Sequence, residues 1–248
     1  MADIKTIGIL GYESCSEQDT ITPLEIFKGA AMVLGRKLNP LNLPGDAVAL
    51  DVKLAALKPG NVKMQMGTEI APDTVLDDTT LYDLLYVPGG VGSGPMSEDA
   101  TMLDAIRRHY EGGKIVASNC SGVGILFRAG ILGDSPVTCV SGIARGLRQD
   151  GANVPEARKM WIGNPEARLW TATGSYGVNG ASVALVAHYF GRDIATAVAM
   201  MFDTIGGIGN AIFELEGPEF YLHPELESRF QDFFQPMLLP EPKVGAAA

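Results

Sequence analysis

Four short stretches of this chain are apolar with little alternation: "IKTIGIL" (4–10), "ALDVKLAAL" (49–57), "LLYVPGG" (84–90) and "KIVAS" (114–118). A strand with one wet face alternates apolar and polar residues, so near-continuous apolar strands must be covered on both faces. Helical patterns lie between and after them. In "PLEIFKGAAMVLG" (23–35), Leu24, Phe27, Ala31 and Leu34 share one face, and "ATMLDAIRRHYEGG" (100–113) is amphipathic and stopped by glycines. "VNGASVALVAHYFG" (178–191) and "RDIATAVAMMFDTIG" (192–206) read as Ala- and Val-rich helices. Strands alternating with helices predict an α/β fold, a doubly wound and mostly parallel sheet with helices on both faces.

Shorter runs extend the sheet. "NVKMQM" (61–66), "PVTCV" (136–140), "KMWIG" (159–163) and "RLWTATG" (168–174) read as further strands. Pro23 suits the first turn of a helix, which leaves "YESCSEQDT" (12–20) as a loop. "GRKLNPLNLPGDA" (35–47) is a second loop, and "LPEPKVGAAA" (239–248) reads as a frayed tail. The reading is one domain over 1–206, with 207–248 an extension packed on it.

Composition removes several functions. The net charge of −10, with no basic stripe, argues against a nucleic-acid partner. No run of 18 apolar residues marks a membrane span, and the acidic start "MADIKTIGIL" does not resemble a signal peptide. Three cysteines at 15, 120 and 139, without a CxxC spacing, suit a reducing compartment better than a disulfide framework or a zinc site. A cytoplasmic protein with a small-molecule substrate and no cofactor is expected.

In a doubly wound sheet, sites form beyond the carboxyl ends of the strands. Three pieces fall there: the first loop with Glu17 and Asp19, the "PGG" turn with Gly89 and Gly90, and "SNCSG" around Cys120. A cysteine between strand and helix sits where orphan amides and the dipole favour a thiolate. Backbone amides of Gly89, Gly90 and Ser121 are candidates to steady negative charge, and an acid on the first loop can move protons. The plain alternatives are a small buried cysteine and an acid that only stabilises a helix start.

The set "EQDTITPLEIF", "DLLYVPGG" and "IVASNCSGVGILFRAGIL" resembles the DJ-1/PfpI (ThiJ) family. That resemblance implies a flavodoxin-like fold, a homodimer, and a reactive Cys120 beside an acid from the first loop. It aligns the family acid with Asp19 rather than Glu17. Ser121 stands where the protease and amidase branch carries histidine, so the isonitrile hydratase branch matches better. There the expected reaction is addition of Cys120 to an isonitrile, giving an N-substituted formamide. Thr22, Gln18 and Cys139 depart from the pattern. A glyoxalase or amidase, or a redox sensor oxidised at Cys120, is the alternative.

The remaining readings are plainer. Ser121 can cap its helix or touch the reacting groups. His109, beside Arg107 and Arg108, is expected on the surface, His188 within helix packing, and His223 over a pocket or an interface. "GSYGVNG" (174–180) reads as a turn into a helix, and "GGIGN" (206–210) follows no strand and is assigned no phosphate.

Overall fold

A computed structural model describes residues 4–203 and 209–241. The central sheet has seven strands. In chain order the strands are β1 (Thr6–Gly11), β2 (Asp51–Ala56), β3 (Val62–Lys63), β4 (Glu69–Ile70), β5 (Thr74–Val75), β6 (Leu84–Val87), β7 (Ile115–Asn119), β8 (Trp161–Asn164) and β9 (Leu169–Ala172). Their order in the sheet is β5-β2-β1-β6-β7-β9-β8, with every pair parallel except β8–β9. β3 and β4 form a separate antiparallel ribbon. The chain leaves β1 toward β2 and β5, then returns to place β6 on its other side. This reversal opens a crevice at the carboxyl ends of β1 and β6, where open α/β sheets bind their ligands.

Helices cover both faces, as the strand composition demands. They are α1 (Glu17–Leu34), α2 (Ser93–Met96), α3 (Ala100–Glu111), α4 (Gly122–Arg128), α5 (Ser141–Gln149), α6 (Tyr176–Phe190), α7 (Arg192–Met201) and α8 (Pro224–Leu238). Successive strand residues feed opposite cores. Ile7, Ile9, Leu84, Tyr86 and Ile115 pack with Phe27 of α1 and Val183 of α6. Leu10, Leu85, Val87 and Val116 pack with Ile106 of α3, Ile125 of α4 and Ile143 of α5. No helix among the described residues is long and apolar enough to cross a membrane.

Several local expectations change. α1 begins six residues before Pro23, which therefore lies inside the helix, and Glu17 and Asp19 belong to its first turn. Ser16 caps this start, its Oγ accepting from the Asp19 N–H. Residues 136–140 form no strand: the Val137 N–H goes to the Asn153 carbonyl, and the Thr138 N–H to Thr171 Oγ1. Only Val62–Lys63 of the 61–66 run is strand, and it lies outside the main sheet. The 192–206 helix ends at Met201; its last residues, and most of "GGIGN", lie outside the described residues. Leu239 is buried and Arg128 holds the Pro240 carbonyl at 2.7 Å, so the tail is docked at its start, while 242–248 lie outside the described residues.

His109 is fully buried, not on the surface. It shares the inward face of α3 with Met102, Ala105 and Ile106, and stacks on Tyr82. Its Nδ1 donates to the Ala105 carbonyl (2.7 Å) and its Nε2 accepts from the Tyr82 N–H (3.1 Å), so the ring is neutral. Burial, with the charges of Arg108 and Lys114, pushes its pKa below the ordinary value. Below about pH 6.5 the unfolded chain takes up a proton that the folded ring refuses. The urea midpoint should therefore fall between about pH 7.5 and about pH 5.5, and fall less in His109→Gln. An equal fall in that variant would place the effect elsewhere.

Candidate active site

Four strand ends meet in the crevice. β1 leads through Tyr12 and Ser16 into α1, β6 gives Pro88, Gly89 and Gly90, β7 gives Cys120, and β9 gives Thr173, Gly174 and Ser175. Cys120 occupies a sharp strand-to-helix turn with φ +52°, a conformation that costs about 1–3 kcal/mol outside glycine. The surroundings enforce it. Its N–H donates to the Ala172 carbonyl (2.9 Å), and its own carbonyl accepts from the Val140 N–H (3.3 Å). A Cβ at Gly89 would lie 2.6 Å from Cys120 Cβ, and one at Gly174 would lie 3.0 Å from Sγ. Both positions must be glycine for the sulfur to fit between them.

Asp19 is only 3 % exposed and faces Cys120 across hydrogen-bonding distance. Its Oδ1 also accepts from the Ser175 N–H at 3.2 Å. Burial raises the Asp19 pKa, opposed by the Cys120 and Ser175 hydrogen bonds. Burial likewise pushes the Cys120 thiol well up, and the Asp19 charge adds to it. Only the Ser121 N–H and hydroxyl pull the other way. Burial and the neighbouring carboxylate outweigh these contacts at the start of α4. Cys120 remains partly open to solvent on one side. The pair carries one negative charge readily and two only at high pH.

The glycine amides face elsewhere. The Gly89 N–H donates to Asn119 Oδ1 (2.9 Å) and the Gly90 N–H to Ser121 Oγ (3.0 Å). Ser121 Oγ in turn donates to the Gly90 carbonyl (3.0 Å), so this hydroxyl fastens the "PGG" turn and makes no helix cap. The Ser121 N–H is the one amide of the three directed at Sγ. Asn119 is the larger organiser, since its Nδ2 donates to the Asp19 carbonyl (2.9 Å) and to Tyr86 Oη (3.0 Å).

Glu17 does not reach the crevice. Its Oε1 accepts from the Met66 and Thr68 N–H groups and fastens the β3–β4 turn. Residues that were read only as a turn, or not singled out, lie nearer. Gly174 and Ser175 flank the pair, and Ser175, at φ +50°, donates through Oγ to Gln18 Oε1 (3.0 Å). Gln65 lines the crevice and accepts the Val91 N–H. Cys15 and Cys139 are buried away from solvent. His188 packs on Trp170 and Tyr189, and His223 is the residue before α8.

Above Cys120 the crevice widens into a cavity of about 780 Å³. Asp19, Ser121 and Ser175 lie at its floor with Cys120, and Gln65 and Arg229 also reach its lining. Phe220, Phe230 and Phe233 from the C-terminal segment form the other side. No histidine lines it, and among the described residues no cluster of His, Cys, Asp and Glu is arranged to hold a metal.

Comparison with known proteins bears on the family and the fold. A family model described as the DJ-1/PfpI family matches residues 5–179. The chain is 38% identical over 71 residues to an isonitrile hydratase from Pseudomonas putida, and 30% identical over 93 residues to protein dj-1beta from Drosophila melanogaster. Those matches span 31% and 50% of the two relatives, and 29% and 36% of this chain. Among solved structures, a THiJ/PfpI family protein from Pseudomonas syringae superposes with TM-score 0.72 at 18% identity, covering 96% of this chain and 88% of that one. Drosophila melanogaster DJ-1beta superposes with TM-score 0.67 at 19% identity, covering 80% of this chain and 97% of its own. These likenesses establish the fold, and the family match, running over most of the sheet and all four strand ends, establishes descent: the chain belongs to the DJ-1/PfpI family.

Proposed function

We propose that this protein is a cofactor-independent cysteine enzyme that hydrates isonitriles to N-substituted formamides, acting as a homodimer. The observation that carries the reading is the buried Asp19–Cys120 pair at the floor of a largely apolar cavity that no histidine lines. The partial likeness to an isonitrile hydratase supports it. An amidase of the Cys–His type needs a base that this crevice lacks.

The chemistry fits one shared proton. The shared proton passes from the Cys120 thiol to the Asp19 carboxylate as the sulfur adds to the terminal carbon of R–N≡C. Asp19 delivers its proton to that carbon, leaving the thioimidate R–N=CH–S–Cys120 and a carboxylate. The carboxylate then takes a proton from water as the hydroxide adds, and passes it to nitrogen. Collapse of R–NH–CH(OH)–S–Cys120 returns the hydroxyl proton to Asp19, releases R–NH–CHO and restores the thiolate. The Ser121 N–H steadies the sulfur each time it carries charge.

Formamide release from an aryl isonitrile, followed by chromatography, should vanish in Cys120→Ala while the circular dichroism spectrum stays native. Retained turnover there excludes the mechanism. Asp19→Asn should lower kcat by about 10²–10⁴-fold, the usual span for a general acid–base, and Glu17→Gln by far less. The opposite ranking would reassign the acid. The pH profile of kcat/KM should be bell-shaped, because the singly charged pair is the active form. Its acid limb should lie above the ordinary carboxyl value of about 4, and its alkaline limb above the ordinary thiol value of about 8.5, following the two upward shifts. An acid limb at or below the ordinary carboxyl value would contradict the burial argument.

A further inference from the structure

The proton chemistry uses only the floor of the cavity, yet the opposite side is firmly built. Arg158, 3 % exposed, donates to the Cys139 carbonyl (2.9 Å), Ser141 Oγ (2.7 Å) and Glu227 Oε1 of α8 (2.6 Å). Its guanidinium also lies 4.7 Å from the Phe220 ring centroid, so one buried cation fixes both the approach to α8 and the helix itself. Phe234 and Leu238 of α8 pack over Gly142 of α5. On that footing stand the rings of Phe230 and Phe233, with centroids 4.5 and 4.9 Å from Phe234.

We propose that this aromatic roof makes the protein selective for substrates with a bulky, uncharged substituent, aromatic and at least two fused rings in size, seated under α8 with the reactive carbon at Cys120. The electrophile itself rests on the hydratase reading; the shape of its substituent does not. Three observations carry it. The cavity, about 780 Å³, is of the size that encloses drug-sized ligands, and a methyl or ethyl group would leave most of it to water. The lining beneath α8 is dominated by apolar side chains, Phe220, Leu222, Leu226, Phe230, Phe233 and Leu238, while the reacting groups lie at Cys120, which orients a ligand with a reactive head and an apolar body. Phe230 and Phe233 are 39 % and 67 % exposed, so each has ring surface left for a planar partner to cover. The charged group at the mouth, Arg229, is already paired with Glu225 at 3.1 Å and places no demand for an anion on the substituent.

The test has two arms. In the first, kcat/KM is compared for 2-naphthyl and methyl isonitrile, in the wild type and in Phe230→Ala and Phe233→Ala. The wild type should favour the naphthyl compound by about 100-fold or more, and each substitution should lower that ratio by about tenfold. In the second arm, N-(2-naphthyl)formamide is titrated calorimetrically into Cys120→Ala with and without Phe230→Ala, and the second substitution should weaken binding about tenfold. Equal kcat/KM for the two isonitriles would overturn the proposal while leaving the hydratase reading intact. Tight naphthylformamide binding that depends on Phe230, with no isonitrile turned over, would keep the proposal and remove the hydratase reading. Sedimentation velocity is run on every variant. If the roof substitutions dissociate an oligomer and leave the ratio unchanged, the roof is an interface and the proposal is wrong.

Discussion

The site depends on a hydrogen bond that a proline makes possible. Pro23 has no N–H to give the carbonyl four residues earlier, so the Asp19 carbonyl is left without its helical partner. Asn119 Nδ2 fills that place from the end of β7, at 2.9 Å. The same amide group holds Tyr86 Oη, and its oxygen holds the Gly89 N–H. One side chain therefore ties α1, β6 and the "PGG" turn to the residue beside Cys120. Without the proline an ordinary helix would satisfy its own carbonyl, and the Asn119 bond to the turn carrying Asp19 would have a competitor.

That arrangement explains why the pair behaves as a unit. Enclosure in a tightly packed floor raises both groups, so neither ionises without reference to the other. The backbone strain at Cys120 and Ser175 is borne by hydrogen bonds whose partners lie on other strands and helices. Rigid elements supply the precision. In the proposed hydration, a thiol raised by burial and by its neighbouring carboxylate suits a neutral electrophile whose first step consumes the shared proton.

Much of the fold was legible because strands buried on both faces cannot alternate, and Ile7, Ile9 and Leu10 supply both cores in sequence. The doubly wound, mostly parallel sheet follows from that pattern, and its flavodoxin-like character from the family resemblance. "PVTCV" misleads for the same reason: it is buried like a strand, but its amides bond to loops and to Thr171 Oγ1 instead of a neighbouring ladder. Pro23 misleads because proline favours a first helical turn, whereas the stronger start signal was Ser16 followed three residues later by Asp19. His109 took its apparent exposure from two flanking arginines, although the spacing of Met102, Ala105, Ile106 and His109 marks an inward stripe. Ser175 meets Asp19 from 156 residues away, a distance no local pattern spans.

The central claim is that the Cys120 sulfur adds to the isonitrile carbon while Asp19 supplies the proton. The most direct measurement is rapid acid quench of the wild-type protein with an aryl isonitrile during the first turnover, followed by intact-mass and peptide analysis. The account predicts a transient adduct heavier by the mass of one isonitrile, confined to the peptide carrying Cys120, and decaying as formamide accumulates. Formamide appearing with no such adduct, or an adduct on Cys15 or Cys139 instead, would contradict it.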